Sequence, residues 1–144
     1  MMHKIFIDAD IFLDVFAKRD PFYFHSARLL TQVEKKRITG YTSPIVFANL
    51  HYILRKLTSK DYAWQSLRKL RIIVQVCSVG EKHIDQALNS EFSDFEDAIQ
   101  YYAASSGKVN YIITRNKEDY RHSLIAVYTP EEYLAIIESS EELK

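Results

Sequence analysis

The sequence predicts an α/β fold, a three-layer α/β/α sandwich around a central, mostly parallel sheet, in a single domain spanning residues 1–144. Short apolar, β-branched runs alternate along the chain with segments of helical periodicity. Alternation of this kind sets strands side by side in parallel, with helices covering both faces. The acids give the second indication. Asp8 and Asp10 follow the first apolar run, while Thr114, Asn116 and Asp119 follow a later one. Both groups therefore fall on the carboxyl edge of the sheet, where open α/β sheets bind ligands. A hydrophobic content of 47% supplies enough side chain for a core without staples, and no linker, repeat or low-complexity stretch divides the chain.

Taken in order, Lys4-Ile5-Phe6-Ile7 is a short apolar run ending in acids and reads as a buried strand. Ile11 to Lys18 reads as the first helix. Phe22 to Lys36 carries Phe24, Ala27, Leu30 and Val33 at helical spacing. Gly40-Tyr41-Thr42 is the second strand. Ser43-Pro44 then starts a helix, with Ser as N-cap and Pro at the first position, and Val46, Leu50, Ile53 and Leu57 share one face. Asp61 to Leu70 continues helical, and Ile72 to Val76 is strand-like. Glu81 to Leu88 is a helix. Ser93 opens another that runs to Ser105, with Gly107 suited to its C-terminal cap. Val109 to Thr114 and Ile125 to Tyr128 are the last strands, and Pro130 to Glu138 is the closing helix.

Composition narrows the function classes. The formal net charge is zero, so nucleic-acid binding would need a local basic patch. The lone cysteine, Cys77, excludes a disulfide framework and a cysteine-rich zinc site, and points to a reducing cytoplasm. It reads as a small buried residue. The N-terminal run is cut short by Asp8 and Asp10, unlike a signal peptide. No apolar run approaches the roughly 20 residues that span a bilayer. The five histidines show no ligand spacing.

The chemistry lies in three acidic motifs. In Ile7-Asp8-Ala9-Asp10-Ile11-Phe12-Leu13-Asp14, an acid directly after a buried strand must be solvated, paired or bound to a cation. Asp10 equally suits a helix cap. In Ser93-Asp94-Phe95-Glu96-Asp97-Ala98, Ser93 and Glu96 make a capping box, Asp94 suits the helix dipole, and Asp97 is left over beside core-facing Ala98, Tyr101 and Tyr102. In Ile112-Ile113-Thr114-Arg115-Asn116-Lys117-Glu118-Asp119, a buried strand runs into a hydroxyl, an amide and a carboxylate. An ordinary turn accounts for the third motif alone. Together the three describe an oxygen-rich site for a hard cation such as Mg²⁺ or Mn²⁺. Such a cation offsets repulsion among the acids, activates water and stabilises charge on a phosphodiester.

These three motifs, in this order, resemble a PIN domain over nearly the whole chain, the last being the most specific. The resemblance implies that Asp8, Asp97 and Asp119 are catalytic and metal-binding, with Asp94 nearby as a further metal-binding acid, and that Asp10, Asn49, Thr114 and Asn116 support them. It implies an Mg²⁺- or Mn²⁺-dependent endoribonuclease acting on RNA, and, in the VapC-like group, the toxin of a toxin–antitoxin pair forming a homodimer. One position departs from the pattern. Where the family has a Glu on the helix after the second strand, this chain has Asn49, set between Ile45 and Ile53 and expected to face inward. Asn cannot supply the negative charge, so the alternative reading is a catalytically impaired PIN fold that binds RNA or a protein.

From Leu50 to Arg71 the basic residues Arg55, Lys56, Lys60, Arg68, Lys69 and Arg71 outnumber the single acid Asp61, with Tyr52, Tyr62 and Trp64 interleaved. This pattern suits an RNA-tracking surface. It equally suits a solvated helical face with its aromatics turned to the core. The acid-rich end, Glu131, Glu132, Glu138, Glu141 and Glu142 against Lys144, would repel RNA. Asp8-Ala9-Asp10 also resembles the opening of haloacid-dehalogenase-type phosphatases, but Ile11-Phe12 stands where those have Gly-Thr, and a later Gly-Asp-x-x-Asp is absent. A response-regulator receiver is excluded because the run Ile72 to Val76 ends in Cys77-Ser78 with no Asp.

Overall fold

The computed structural model describes residues 2–142, with Glu141 and Glu142 as backbone only. Lys144 and the side chains of Glu141 and Glu142, part of the acidic end, lie outside the described residues. Five parallel strands form one sheet in the order β3-β2-β1-β4-β5: β1 (Lys4–Ile7), β2 (Thr39–Thr42), β3 (Val74–Val76), β4 (Tyr111–Ile113) and β5 (Ala126–Tyr128). The helices are α1 (Ala9–Phe16), α2 (Tyr23–Glu34), α3 (Pro44–Leu57), α4 (Lys60–Ile73), α5 (Glu81–Leu88), α6 (Phe95–Ser106) and α7 (Pro130–Glu142), with a 3-10 turn at Lys117–Tyr120. This is the predicted α/β/α sandwich.

Strand periodicity explains the layers. Ile5 and Ile7 face a cluster with Leu29, Val33, Leu50, Leu54, Leu70 and Tyr133, while Phe6 between them faces Tyr101, Ala104, Ile112 and Tyr120. Gly40 lets α2 approach β2, since a Cβ there would sit 2.9 Å from Val33 Cγ1.

Three local expectations change. Ile72 and Ile73 belong to α4 and not to a strand. The helix ends where the Val74 N–H bonds Leu70 and the Arg71 side chain bonds the Val74 carbonyl. Asp8, not Asp10, caps α1, accepting the Ala9 N–H at 2.8 Å. Asp94, not Ser93, caps α6, accepting the Asp97 N–H at 3.0 Å, so the expected Ser93–Glu96 box does not form. Gly107 follows α6 as expected, but Lys108 takes the left-handed conformation (φ 57°).

The chain winds from β1 out to β3 on one side, then returns to place β4 and β5 on the other. The order therefore reverses between β1 and β4. In open α/β sheets a crevice forms at that point, beyond the strand ends. Ile7 is in register with Ile113, so Asp8 and Thr114 emerge side by side at the crevice.

Candidate active site

Asp8 sits at the centre of a hydrogen-bonded group. Its Oδ1 accepts from the Ala9 N–H and, at 3.5 Å, from Gln100 Nε2. Its Oδ2 accepts from the Thr114 hydroxyl at 3.1 Å and the Tyr120 hydroxyl at 3.3 Å. Gln100 also donates to the Tyr120 hydroxyl, and its carbonyl accepts from Ser43, the N-cap of α3. One buried amide thus links α3, α6, the 3-10 turn and the end of β1. Burial pushes the Asp8 carboxyl above its usual range, against the pull of these donors.

Asp10 lies in the first turn of α1 and turns toward the loop after β4. Its Oδ2 accepts from the Arg115 N–H at 3.0 Å, the Thr114 hydroxyl at 3.4 Å and Asn116 Nδ2 at 3.4 Å. Thr114 Oγ1 in turn accepts the Asn116 N–H at 3.1 Å. Asp10 Oδ1 is buried without a hydrogen-bond partner. Burial and the Asp8 charge raise the Asp10 carboxyl to about 6.

Asp97, in the first turn of α6, is pushed up to about 7, first by burial, then by the charges of Asp8, Asp94, Asp119 and Glu96. Four carboxylates therefore share its field. Asp119 is exposed in the 3-10 turn. Asp94 is occupied as the cap of α6. Asn49 does not face inward between apolar neighbours. It is partly exposed, and its Nδ2 donates to Glu96 Oε2 at 3.0 Å across the α3–α6 gap. Among the described residues no three acids, imidazoles or thiols stand close enough to chelate an ion as placed. The structure gathers Asp8, Asp10, Thr114 and Asn116 by direct contact, and brings Asp97 and Asp119 within electrostatic reach.

Several members of this group escaped the sequence reading. The sequence pattern places Glu96 in a capping box with Ser93. Gln100 lies in the helix read from Ser93 to Ser105 and Tyr120 closes the polar turn of the third motif, and the one local signal is a polar Gln inside the apolar run Ala98 to Ala104. Asp14 and Arg115 were quoted within motifs without a role. Arg115 pairs with buried Asp14, and Asp14 also accepts from Arg19 and Ser26.

Arg55, Lys56, Lys60, Arg68, Lys69 and Arg71 are all exposed on α3 and α4. The interleaved aromatics are exposed too, with Tyr52 at 58% and Trp64 at 47%, so they are not turned to the core. Lys56 lies 4.3 Å over the Tyr52 ring and Arg68 5.8 Å over Trp64. Cys77 is buried, and burial raises its thiol to about 11, which suits packing and not nucleophilic attack. No described helix is long and apolar enough to cross a membrane.

The sequence matches the family described as PIN domain over residues 4–118. It is 24% identical over 135 residues to a protein named Ribonuclease VapC1 from Aquifex aeolicus (strain VF5), covering 90% of this chain and 92% of that one. Among solved structures, VapBC2 from Rickettsia felis bound to a DNA fragment from its promoter superposes with a TM-score of 0.64 at 17% identity, covering 87% of this chain and 96% of that one. VapC20 from Mycobacterium tuberculosis, described as a sarcin-ricin loop cleaving toxin, superposes with a TM-score of 0.60 at 19% identity, covering 75% and 86%.

Proposed function

Because the chain belongs to the PIN-domain family, we propose that it is an endoribonuclease dependent on Mg²⁺ or Mn²⁺, the toxin of a toxin–antitoxin pair, acting in the cytoplasm as a homodimer. The observation that carries this reading is the carboxylate group at the β1/β4 reversal, centred on Asp8 and extending to Asp97 and Asp119. The names of the relative from Aquifex aeolicus and of the Mycobacterium tuberculosis toxin support RNA as substrate, and the Rickettsia felis complex supports an antitoxin partner. The single domain would span residues 1–144.

The donor set fits a hard divalent cation. Every candidate ligand is an oxygen, and a buried Asp10 oxygen lacks a partner. Asp8, Asp97 and Asp119 would hold the ion. When bound, it would act as a Lewis acid that activates water and offsets charge on the phosphodiester. The remaining work falls to this chain's own groups. Thr114, Gln100 and Tyr120 fix the direction of the Asp8 carboxylate. Asp10 and Asn116 hold the loop that carries Asp119. Asp97, raised to about 7 by burial and by its acidic neighbours, can hold a proton near neutrality in the metal-free protein. The exposed basic and aromatic residues of α3 and α4 would track the RNA backbone and stack on bases.

A second reading has one observation in its favour. No three ligands are pre-set to chelate among the described residues, as in a PIN fold that binds RNA or a protein without cutting. Calorimetric titration with Mn²⁺ separates the two. The nuclease reading predicts saturable binding that is lost in the Asp8→Asn, Asp97→Asn double variant. Absence of binding at millimolar Mn²⁺ favours the binding module.

A further inference from the structure

Glu96 occupies the second position of α6, one residue before Asp97. Helical spacing sets it on the same face as Gln100, four residues on, and Gln100 reaches Asp8. Glu96 stands in the first turn of α6, where the helix dipole favours a carboxylate. Its hydrogen-bond partner is Asn49, and no Lys, Arg or His forms an ion pair with it among the described residues. Asp94, by contrast, has one oxygen committed to the Asp97 N–H. Drawing Asp94 onto an ion would pull against that cap, a task that Glu96 does not have. Glu96 can turn onto an ion and keep the Asn49 contact through its other oxygen.

We propose that Glu96, positioned by the Asn49 amide, is the fourth carboxylate of the metal site, and that Asp94 is a helix cap outside it. The assignment rests on the metal-dependent reading of the same site. Asn49 is then a positioning residue: its Nδ2 holds Glu96 toward the crevice across two helices. The negative charge lacking on α3 is delivered from α6.

The test is Mn²⁺ titration of the full chain by calorimetry, with thermal melts to show that each variant is folded. Glu96→Gln is the informative substitution, because a Gln carbonyl still accepts from Asn49 while the charge is gone. The expected results are roughly a tenfold loss of Mn²⁺ affinity in Glu96→Gln and a clearly smaller loss in Asp94→Ser, where Ser keeps the cap and only a neighbouring charge is removed. Asn49→Ala should weaken binding by a smaller factor in the native background and have no further effect once Glu96 is Gln. Affinity unchanged in Glu96→Gln but lost in Asp97→Asn would overturn the assignment and leave the metal site standing. Loss in Asp94→Ser equal to that in Glu96→Gln would overturn the role given to Asp94. No Mn²⁺ binding by the native chain would overturn both the assignment and the reading beneath it.

Discussion

Asp14 and Arg115 form a two-pronged ion pair, with Arg115 Nε 2.8 Å from Oδ2 and Nη2 3.1 Å from Oδ1. Asp14 is fully buried in α1, while Arg115 lies just past β4 with its guanidinium 3.8 Å over the Phe22 ring. The Arg115 N–H also holds Asp10. The pair therefore fastens the loop carrying Asn116 and Asp119 to the helix carrying Asp10. Removing Arg115 leaves the buried Asp14 charge with only the longer Arg19 contact at 3.3 Å and the Ser26 hydroxyl at 3.4 Å. Arg115→Met should lower unfolding free energy by about 3 kcal/mol in urea denaturation. Arg115→Lys should recover only part, since an ammonium cannot make both contacts. A loss under about 1 kcal/mol in Arg115→Met would argue against this fastening role.

Tyr120 donates to Asp8 from a fully buried ring. Tyr120→Phe keeps the packing and removes one donor from a carboxylate already pushed up by burial. The expected cost is about 1–2 kcal/mol in stability where Asp8 is ionised, and less in acid where Asp8 is protonated. Equal cost in both conditions would show that the hydroxyl does not serve the charged form.

The raised carboxyls set a pH dependence. Asp97 at about 7 and Asp10 at about 6 hold protons in the folded state that the unfolded chain has already lost above its ordinary carboxylate range near 4. Unfolding therefore releases protons, and stability of the metal-free protein falls as pH rises from about 4 through about 7. Asp97→Asn should remove part of this slope and raise stability at pH 8 by on the order of 2 kcal/mol. Thermal melts in chelator across pH 4–8 measure it. A rising stability over that range would contradict the shared field of these acids.

The arrangement of secondary structure was legible because hydrophobic period and strand ends are local properties. Asp8 and Thr114 could be placed on one sheet edge from chain order alone, and they touch. The end of α4 was not legible, because Ile72 and Ile73 are β-branched in a helix whose far end is set by Arg71 and Leu70. Ser93 and Asp94 are both good caps, and sequence gives no way to choose between them. That choice decides whether Glu96 is held by its own helix or free to meet Asn49. Gln100 and Tyr120 act through contacts across 92 and 112 residues of chain with Asp8, which no local pattern encodes.

The basic surface makes a separate prediction. Trp64→Ala should cost no more than about 1 kcal/mol in stability, since the residue is about half exposed, yet weaken single-stranded RNA binding by roughly tenfold through lost stacking. Arg68→Gln and Lys69→Gln should each lower the salt dependence of binding by about one phosphate contact. Fluorescence anisotropy with a labelled oligoribonucleotide, in chelator to prevent cutting, reads both effects. Unchanged affinity in all three variants would assign this face to something other than RNA.

The central claim is tested most directly by RNA cleavage, comparing the native chain with Asp97→Asn purified in parallel. The predicted result is cleavage with Mg²⁺ or Mn²⁺, abolished by chelator, restored by added Mn²⁺, and reduced at least a hundredfold in a folded Asp97→Asn variant, about 2.7 kcal/mol in barrier height. Equal cleavage by the two proteins, or cleavage that survives chelator, would contradict a metal-dependent nuclease built on Asp97.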